Sequence, residues 1–282
     1  ADIRFDRLSF ADLAFENRSV KLCPARGQPI LATGPDGTRI AAGTSGLDLT
    51  GSLGDTPIRI RSGPVGFAYP GVMKARSLDI TLGPAESASR FTLSDLQARL
   101  GGPLSGTFSG AEIALAAVPL DLQEASGEWR FADGRLLLDN GSFMLRDRES
   151  PARFEPLLAR NAELTLIDNR IAAQAALRNP ASDRLVTDVE VRHDLASGAG
   201  RADLDIPGVR FDEALQPLDL SLLAKGVVAN AEGVVTGQGR IVWSPDGEVT
   251  STGQFSSESI DFAAAFGPVR GASGTIEFTD LL

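Results

Sequence analysis

The stretch WRFADGRLLLDNGSFMLR, residues 129–146, decides the fold class. It contains two dipeptides, Asp133-Gly134 and Asn140-Gly141, and each lies between short apolar runs. Such dipeptides accept positive φ in two-residue hairpin turns, so the stretch predicts three consecutive antiparallel strands. Residues two apart in a strand point to the same side. Counting from both turns therefore places six apolar side chains on one face of the sheet: Trp129, Phe131, Leu136, Leu138, Phe143 and Leu145.

The same alternation of apolar and polar residues continues along the chain in short runs separated by Gly and Pro. This density of strand and turn signals predicts an all-β fold, a long curved antiparallel sheet with strand above about 45% of residues and helix below about 15%. Further residues at the apolar positions extend the predicted face: Leu164, Leu166, Leu185, Val189, Val191, Leu204, Ile206, Ile241, Trp243, Ile260, Phe262, Ile276 and Phe278.

A Pro-Asp-Gly sequence occurs twice between apolar runs and predicts three-residue hairpin loops. The loop at 35–37 is expected to align Ala32 with Ile40. The second copy is expected to set Trp243 opposite Val249. These alignments predict which residues face each other across the sheet.

Two segments depart from the simple strand pattern. Residues 93–100 are compatible with either a strand or a short helix that ends at the following glycines. Residues 211–225 contain a candidate capping residue, Asp212, and an internal Pro217, and Gly226 follows them as a terminator, which predicts one or two short helices. Outside these two segments, the dipeptide Asp168-Asn169 is expected to form another hairpin turn.

Composition excludes several functional classes. The net charge of −10 argues against nucleic-acid binding and against docking on anionic lipid headgroups. The single histidine, His193, has no nucleophile motif beside it, and the single cysteine, Cys23, excludes an intrachain disulfide. Gly237-Gln238-Gly239 lacks the third glycine and the helix of a dinucleotide site. We therefore expect no enzyme activity, cofactor or metal, and we interpret His193 as a structural residue at a strand end.

The apolar face is compatible with two architectures. It can pack against a second sheet as the core of a sandwich. Alternatively, the sheet can curl lengthwise into a trough that leaves the face open to acyl chains. Alternation does not separate the two, because a lipid and a second sheet are equally apolar partners, and the residues alone favour the sandwich.

The C-terminal third carries a family resemblance that changes this preference. Its motifs are LQP at 215–217, SLLAKGVV at 221–228, GQGRIVW at 237–243, FGPVRG at 266–271 and GTIEFTDLL at 274–282. Their order resembles the YdbH branch of the AsmA-like envelope proteins of Gram-negative bacteria. Upstream of these motifs only the general strand pattern agrees with the family.

The resemblance implies a periplasmic β-groove, often called a taco, that carries phospholipids between the inner and outer membranes. Family members are anchored by an N-terminal inner-membrane helix and work with an outer-membrane lipoprotein. We therefore expect residues 1–282 to be one elongated β-groove segment of a longer protein, whose membrane contacts lie outside this chain. Its function would be passive phospholipid conduction along the apolar face. The alternative is a structural or adhesive β-sandwich or β-solenoid that binds protein partners.

Overall fold

The structure is a computed structural model that describes residues 1–24, 28–35, 37–86, 88–116 and 118–279. Strands account for 73% of it and helical turns for 2%, which confirms the all-β prediction. The strands belong by hydrogen bonding to a single open sheet. Residues 93–100, for which the sequence allowed either a strand or a short helix, form a strand.

The first ten strands are β1 (Asp2–Phe10), β2 (Leu13–Lys21), β3 (Cys23–Pro24), β4 (Leu31–Gly34), β5 (Gly37–Thr44), β6 (Leu47–Leu53), β7 (Thr56–Ser62), β8 (Val65–Tyr69), β9 (Gly71–Leu82) and β10 (Ser89–Leu100). The next ten are β11 (Leu104–Ala114), β12 (Leu120–Ala132), β13 (Arg135–Asp147), β14 (Leu157–Ile167), β15 (Arg170–Arg178), β16 (Leu185–Asp194), β17 (Gly200–Phe211), β18 (Val228–Trp243), β19 (Val249–Ala264) and β20 (Gly267–Phe278).

The chain divides into two compact units. Unit 1 comprises Ala1–Ala116, Gln123–Asp139 and Thr165–Asn169. Unit 2 comprises Ala117–Leu122, Asn140–Leu164 and Arg170–Leu282.

Unit 1 contains an antiparallel ladder in the order β6, β7, β9, β10 and β11. One row of directly opposed apolar residues crosses all five strands: Leu49, Ile60, Ile80, Phe91 and Ile113. Neighbours along each strand, such as Arg59 and Thr92, are exposed on the other side. The unit therefore has one apolar and one polar face, as alternation predicts.

Unit 2 contains an antiparallel ladder of β15, β16, β17, β18, β19 and β20 in sequence order. A row of opposed small and aliphatic residues crosses five of these strands: Ala173, Val191, Ala202, Ile241 and Ser251. We call the face that carries these rows, in each unit, the inner face.

The prediction of a hairpin turn at Asn140-Gly141 is wrong. Strand β13 runs unbroken from Arg135 to Asp147, so Leu138 and Phe143 are not cross-strand partners. Asn140 has a φ of 53°, so the backbone departs from the extended conformation there while the strand continues. A residue in this conformation shifts the alternation of side chains by one. This shift accounts for the odd spacing between Leu138 and Phe143, the spacing that the sequence pattern attributed to a turn.

Similar mid-strand irregularities occur in both units. In unit 1, Ser77, Gly110 and Glu124 have positive φ inside strands. In unit 2, Asn161 and Asn230 do the same. These residues interrupt the extended backbone partway along the strands of each unit.

The hairpin predictions at tight turns have mixed outcomes. Asp133-Gly134 links β12 to β13 with φ values of 50° and 73°, as expected for a two-residue turn. Trp243 pairs with Val249, as predicted.

The predicted partnership of Ala32 with Ile40 is wrong by one residue. Ala32 lies opposite Arg39, and Leu31 lies opposite Ile40. Pairing of Gly34 with Gly37 shortens the loop to two residues. Asp36, at the centre of this loop, lies outside the described residues.

The predicted helical insert consists of two single turns of 3-10 helix, Pro217–Asp219 and Leu222–Ala224. They lie in the connection between β17 and β18. No helix in the described ranges has the length and apolar character needed to cross a membrane.

Candidate functional site

Most of the predicted lining residues are partly exposed to solvent. Ile206, Ile241 and Trp243 are buried, whereas Ile276 and Phe278 are 62% and 43% exposed. All the others are half-buried. Residues sealed between two packed sheets would be expected to be buried throughout, so this distribution describes a face that solvent partly reaches.

Unit 2 brings many of these residues into direct register. Val189 faces Leu204, and Val191 faces Ala202. At the other side of the unit, Phe278 stacks edge-on against Phe255, with ring centroids 5.6 Å apart. The inner face of unit 2 therefore forms a continuous apolar surface across adjacent strands.

Glycines make room for large side chains on this face. Gly237 lies between Ile206 and Phe255 in the ladder. A Cβ at Gly237 would lie 2.7 Å from the Phe255 ring, so a glycine is needed for the ring to lie over the backbone. Sequence reasoning missed Phe255, although it occupies an apolar position of its strand.

Unit 1 contains a cavity that the sequence did not identify. Its volume is about 240 Å³, and Thr44 is the one residue in its lining that is not apolar. The lining comes from β1, β2, β5, β6, β8 and β9 and the residue after β2: Phe5, Leu8, Val20, Leu22, Thr44, Leu47, Leu49, Val65, Phe67 and Met73. The alternation of Leu47 and Leu49 was a signal in the sequence, but the strand pairing that brings the lining residues together could not be predicted from it.

His193 and Trp243 form a polar contact at one end of the inner face in unit 2. Gly200 lies between them in the ladder, and a Cβ at that position would overlap the Trp243 ring. Trp243 Nε1 donates to His193 Nδ1 at 3.1 Å. The indole N–H can only donate, so Nδ1 accepts this bond, although Nδ1 also lies 3.0 Å from the Ala199 oxygen. We therefore assign the neutral ring with its proton on Nε2.

The environment of His193 stabilises that neutral form. Burial lowers the pKa of His193, and this effect outweighs the contacts with Ala199 and Asp194 that would raise it. The ring accepts a hydrogen bond from a buried indole and lies next to the last residue of β16, as expected for a structural residue at a strand end.

An ion pair fixes the loop between β13 and β14. Arg153 bonds both carboxylate oxygens of Asp147 at 2.7 Å, and the Arg153 backbone N–H donates to the same group. Burial would raise the pKa of Asp147, but these bonds and one from the Glu149 N–H together lower it to about 2. The Asp147 side chain is fully shielded from solvent, so this pair holds the loop close to the sheet.

Trp129, in unit 1, has a different environment. Its Nε1 is buried and has no hydrogen-bond partner among the described residues. Arg130, beside it, points to the other side and contacts Asp139 at 3.4 Å. Trp129 therefore lies on the apolar side, as the alternation predicts.

Within the described ranges, no group of three His, Cys, Asp or Glu side chains is placed to hold a metal ion. Cys23 is a free, exposed thiol. The described side chains on the inner face are mainly apolar, so this face is suited to apolar contacts.

Comparison with known proteins agrees with this geometry. The YdbH-like family model, described as "Intermembrane phospholipid transport protein YdbH", matches residues 1–282, the whole chain. Searches of curated proteins and of solved structures returned no match. The family match confirms the resemblance seen in the C-terminal third and extends it over the remaining residues. This chain belongs to the YdbH-like family of intermembrane phospholipid transport proteins.

Proposed function

We propose that this chain is a passive phospholipid conduit whose inner face carries the acyl chains. The observation that carries the proposal is the pairing of an apolar, half-buried inner face with a polar outer face in both units. No chemical step is required. Each methylene kept out of water contributes about 0.8 kcal/mol, so a tail that moves along a continuous apolar surface avoids the cost of hydration.

The cavity of unit 1 supports acyl-chain binding. Its volume of about 240 Å³ exceeds the roughly 150 Å³ of an apolar cavity that binds benzene in another protein. With nine of its ten lining residues apolar, the cavity has few partners for water. A segment of an acyl chain matches both its size and its chemistry.

The alternative architectures are less well supported. A sandwich needs a second sheet over the apolar face, whereas the described strands belong to one sheet. A β-solenoid is built from parallel coils, whereas the ladders of both units are antiparallel.

The proposal also includes the cellular location and the partners of the protein. The family description supports a location in the cell envelope, and we place this chain in the periplasm of a Gram-negative bacterium. There it would work between the inner and outer membranes, in a protein anchored to the inner membrane and paired with an outer-membrane lipoprotein.

The test is to extract the purified protein with organic solvent and to quantify phospholipid per chain by mass spectrometry. Leu49→Trp places a larger side chain in the cavity lining and is expected to lower the phospholipid content. Thr50→Trp is the matched control, because Thr50 is the exposed neighbour on the opposite face of the same strand. Absence of phospholipid from the unmodified protein, or an equal loss in both variants, would overturn the proposal.

A further inference from the structure

The connection between β17 and β18, residues 212–227, lies on the inner face of unit 2; we call it the strap. Leu215 of the strap is 0% exposed and packs in one cluster with Ile206, Val209 and Phe211. Ile206 belongs to the predicted lining. The strap therefore covers part of the surface that the proposed function assigns to acyl chains.

Leu220 extends this coverage towards β14 and β15. It packs against the cluster around Leu215 and also against a second cluster formed by Leu157, Ala159 and Leu177. These three residues lie near the start of β14 and the end of β15. The strap thus reaches from β17 and β18 across the intervening strands of the same unit.

Polar contacts hold both halves of the strap in place. The Gln216 side chain accepts from the Ala231 N–H at 2.8 Å and donates to the Ala231 oxygen at 3.0 Å, so it pairs with β18 in the manner of a strand residue. Further along, the Glu155 N–H donates to the Leu220 oxygen at 2.8 Å, and Ser221 Oγ donates to the Arg153 oxygen at 2.5 Å.

The exposed residues of the strap include three large apolar side chains beside three charged ones, Glu213, Asp219 and Lys225. Leu218, Leu222 and Val227 are 42%, 40% and 60% exposed. The strap therefore covers apolar surface of the sheet with Leu215 and Leu220, and its own exposed side is a mixture of apolar and charged residues.

We propose that the strap is a built-in occupant of the conduit that restricts the number of lipid tails at this level. Leu215 and Leu220 take the positions that acyl chains occupy elsewhere on the inner face. This role rests on the proposed function. If the strap occupies the conduit in this way, loosening the strap should expose apolar surface and admit more lipid.

The test uses Gln216→Ala/Ser221→Ala, which removes anchors from both halves of the strap and keeps every leucine. The matched control is Thr236→Ala/Gln238→Ala, at exposed positions of β18. Each protein is incubated with phosphatidylethanolamine–phosphatidylglycerol vesicles and reisolated. Hydrogen exchange at the Glu155 amide reports whether the strap is docked, because its acceptor, the Leu220 backbone oxygen, is kept in the variant. Mass spectrometry gives the ratio of phospholipid to protein.

We expect the anchor variant to exchange faster at the Glu155 amide and to carry a higher phospholipid ratio, with no change in the control. Faster exchange with an unchanged or lower ratio would overturn the role of the strap and leave the proposed function standing. Absence of phospholipid from every protein would overturn both. If the anchor variant keeps slow exchange, Leu215→Ser removes the buried contact instead and is judged by the same two readouts.

Discussion

Truncation of the buried strap leucine, Leu215→Ala, should destabilise unit 2 by about 3–4 kcal/mol. The side chain is 0% exposed, and the change removes three carbon groups worth about 0.8 kcal/mol each, or about 2.4 kcal/mol in total. The surrounding strands relax only partly around the resulting cavity, which adds roughly another 1 kcal/mol. Leu218→Ala is the matched control in the same strap. Because Leu218 is 42% exposed, we expect a loss below about 1 kcal/mol.

The assay is urea unfolding followed by tryptophan fluorescence. The chain has two tryptophans, so a Trp129→Phe background leaves Trp243 of β18 as the single reporter on unit 2. A change in the midpoint with an unchanged denaturant dependence would give the loss in stability directly. Equal, small losses for Leu215→Ala and Leu218→Ala would refute the reasoning, because the strap would then not be packed on the sheet.

Two pH predictions follow from the ion pair and the histidine. Asp147 has a folded-state pKa of about 2 against an ordinary 3.8, so its contribution is present above pH 3.8 and is lost as the pH falls towards 2. Asp147→Asn should therefore cost roughly 1–2 kcal/mol at neutral pH and flatten the acid dependence of the urea midpoint; an unchanged acid profile would contradict it. For His193 the folded-state pKa is lowered, so stability should fall as the pH drops below about 6.5, together with a change in Trp243 emission. His193→Phe should abolish that emission change, and its persistence in the variant would count against the assigned contact.

The fold class and the two faces were predictable because alternation is a local property of the chain. Val189 and Leu204 face each other across β16 and β17 on the apolar side that the pattern assigned to both. Asn140-Gly141 shows where local reasoning fails. A residue with positive φ can lie within a continuous strand as well as in a turn, and the choice depends on whether the strand continues along its neighbours. The close approach of Gly141 to Ala162 of β14 is such a long-range constraint.

Strand register and long-range packing could not be predicted from the sequence for the same reason. Alignment of Ala32 with Arg39 instead of Ile40 differs by a single residue, and both alignments use a turn rich in Pro, Asp and Gly. Leu215 and Leu218 are both leucines in one short insert, yet only the first is buried. The strands that bury Leu215 include β18, which follows it in the chain, so its burial depends on tertiary packing that the pattern of the insert does not reveal.

The most direct test of the central claim is site-specific photo-cross-linking to phospholipid along single strands. A photoreactive amino acid is placed in turn at 48, 49 and 50 of β6 and at 190, 191 and 192 of β16, in cells that make the protein. Leu49 and Val191 lie on the inner face, whereas the other four positions are exposed on the opposite side. The account predicts phospholipid adducts at Leu49 and Val191 and none at their neighbours. Adducts at all positions, at none, or at the outer positions alone would contradict transport along the inner face.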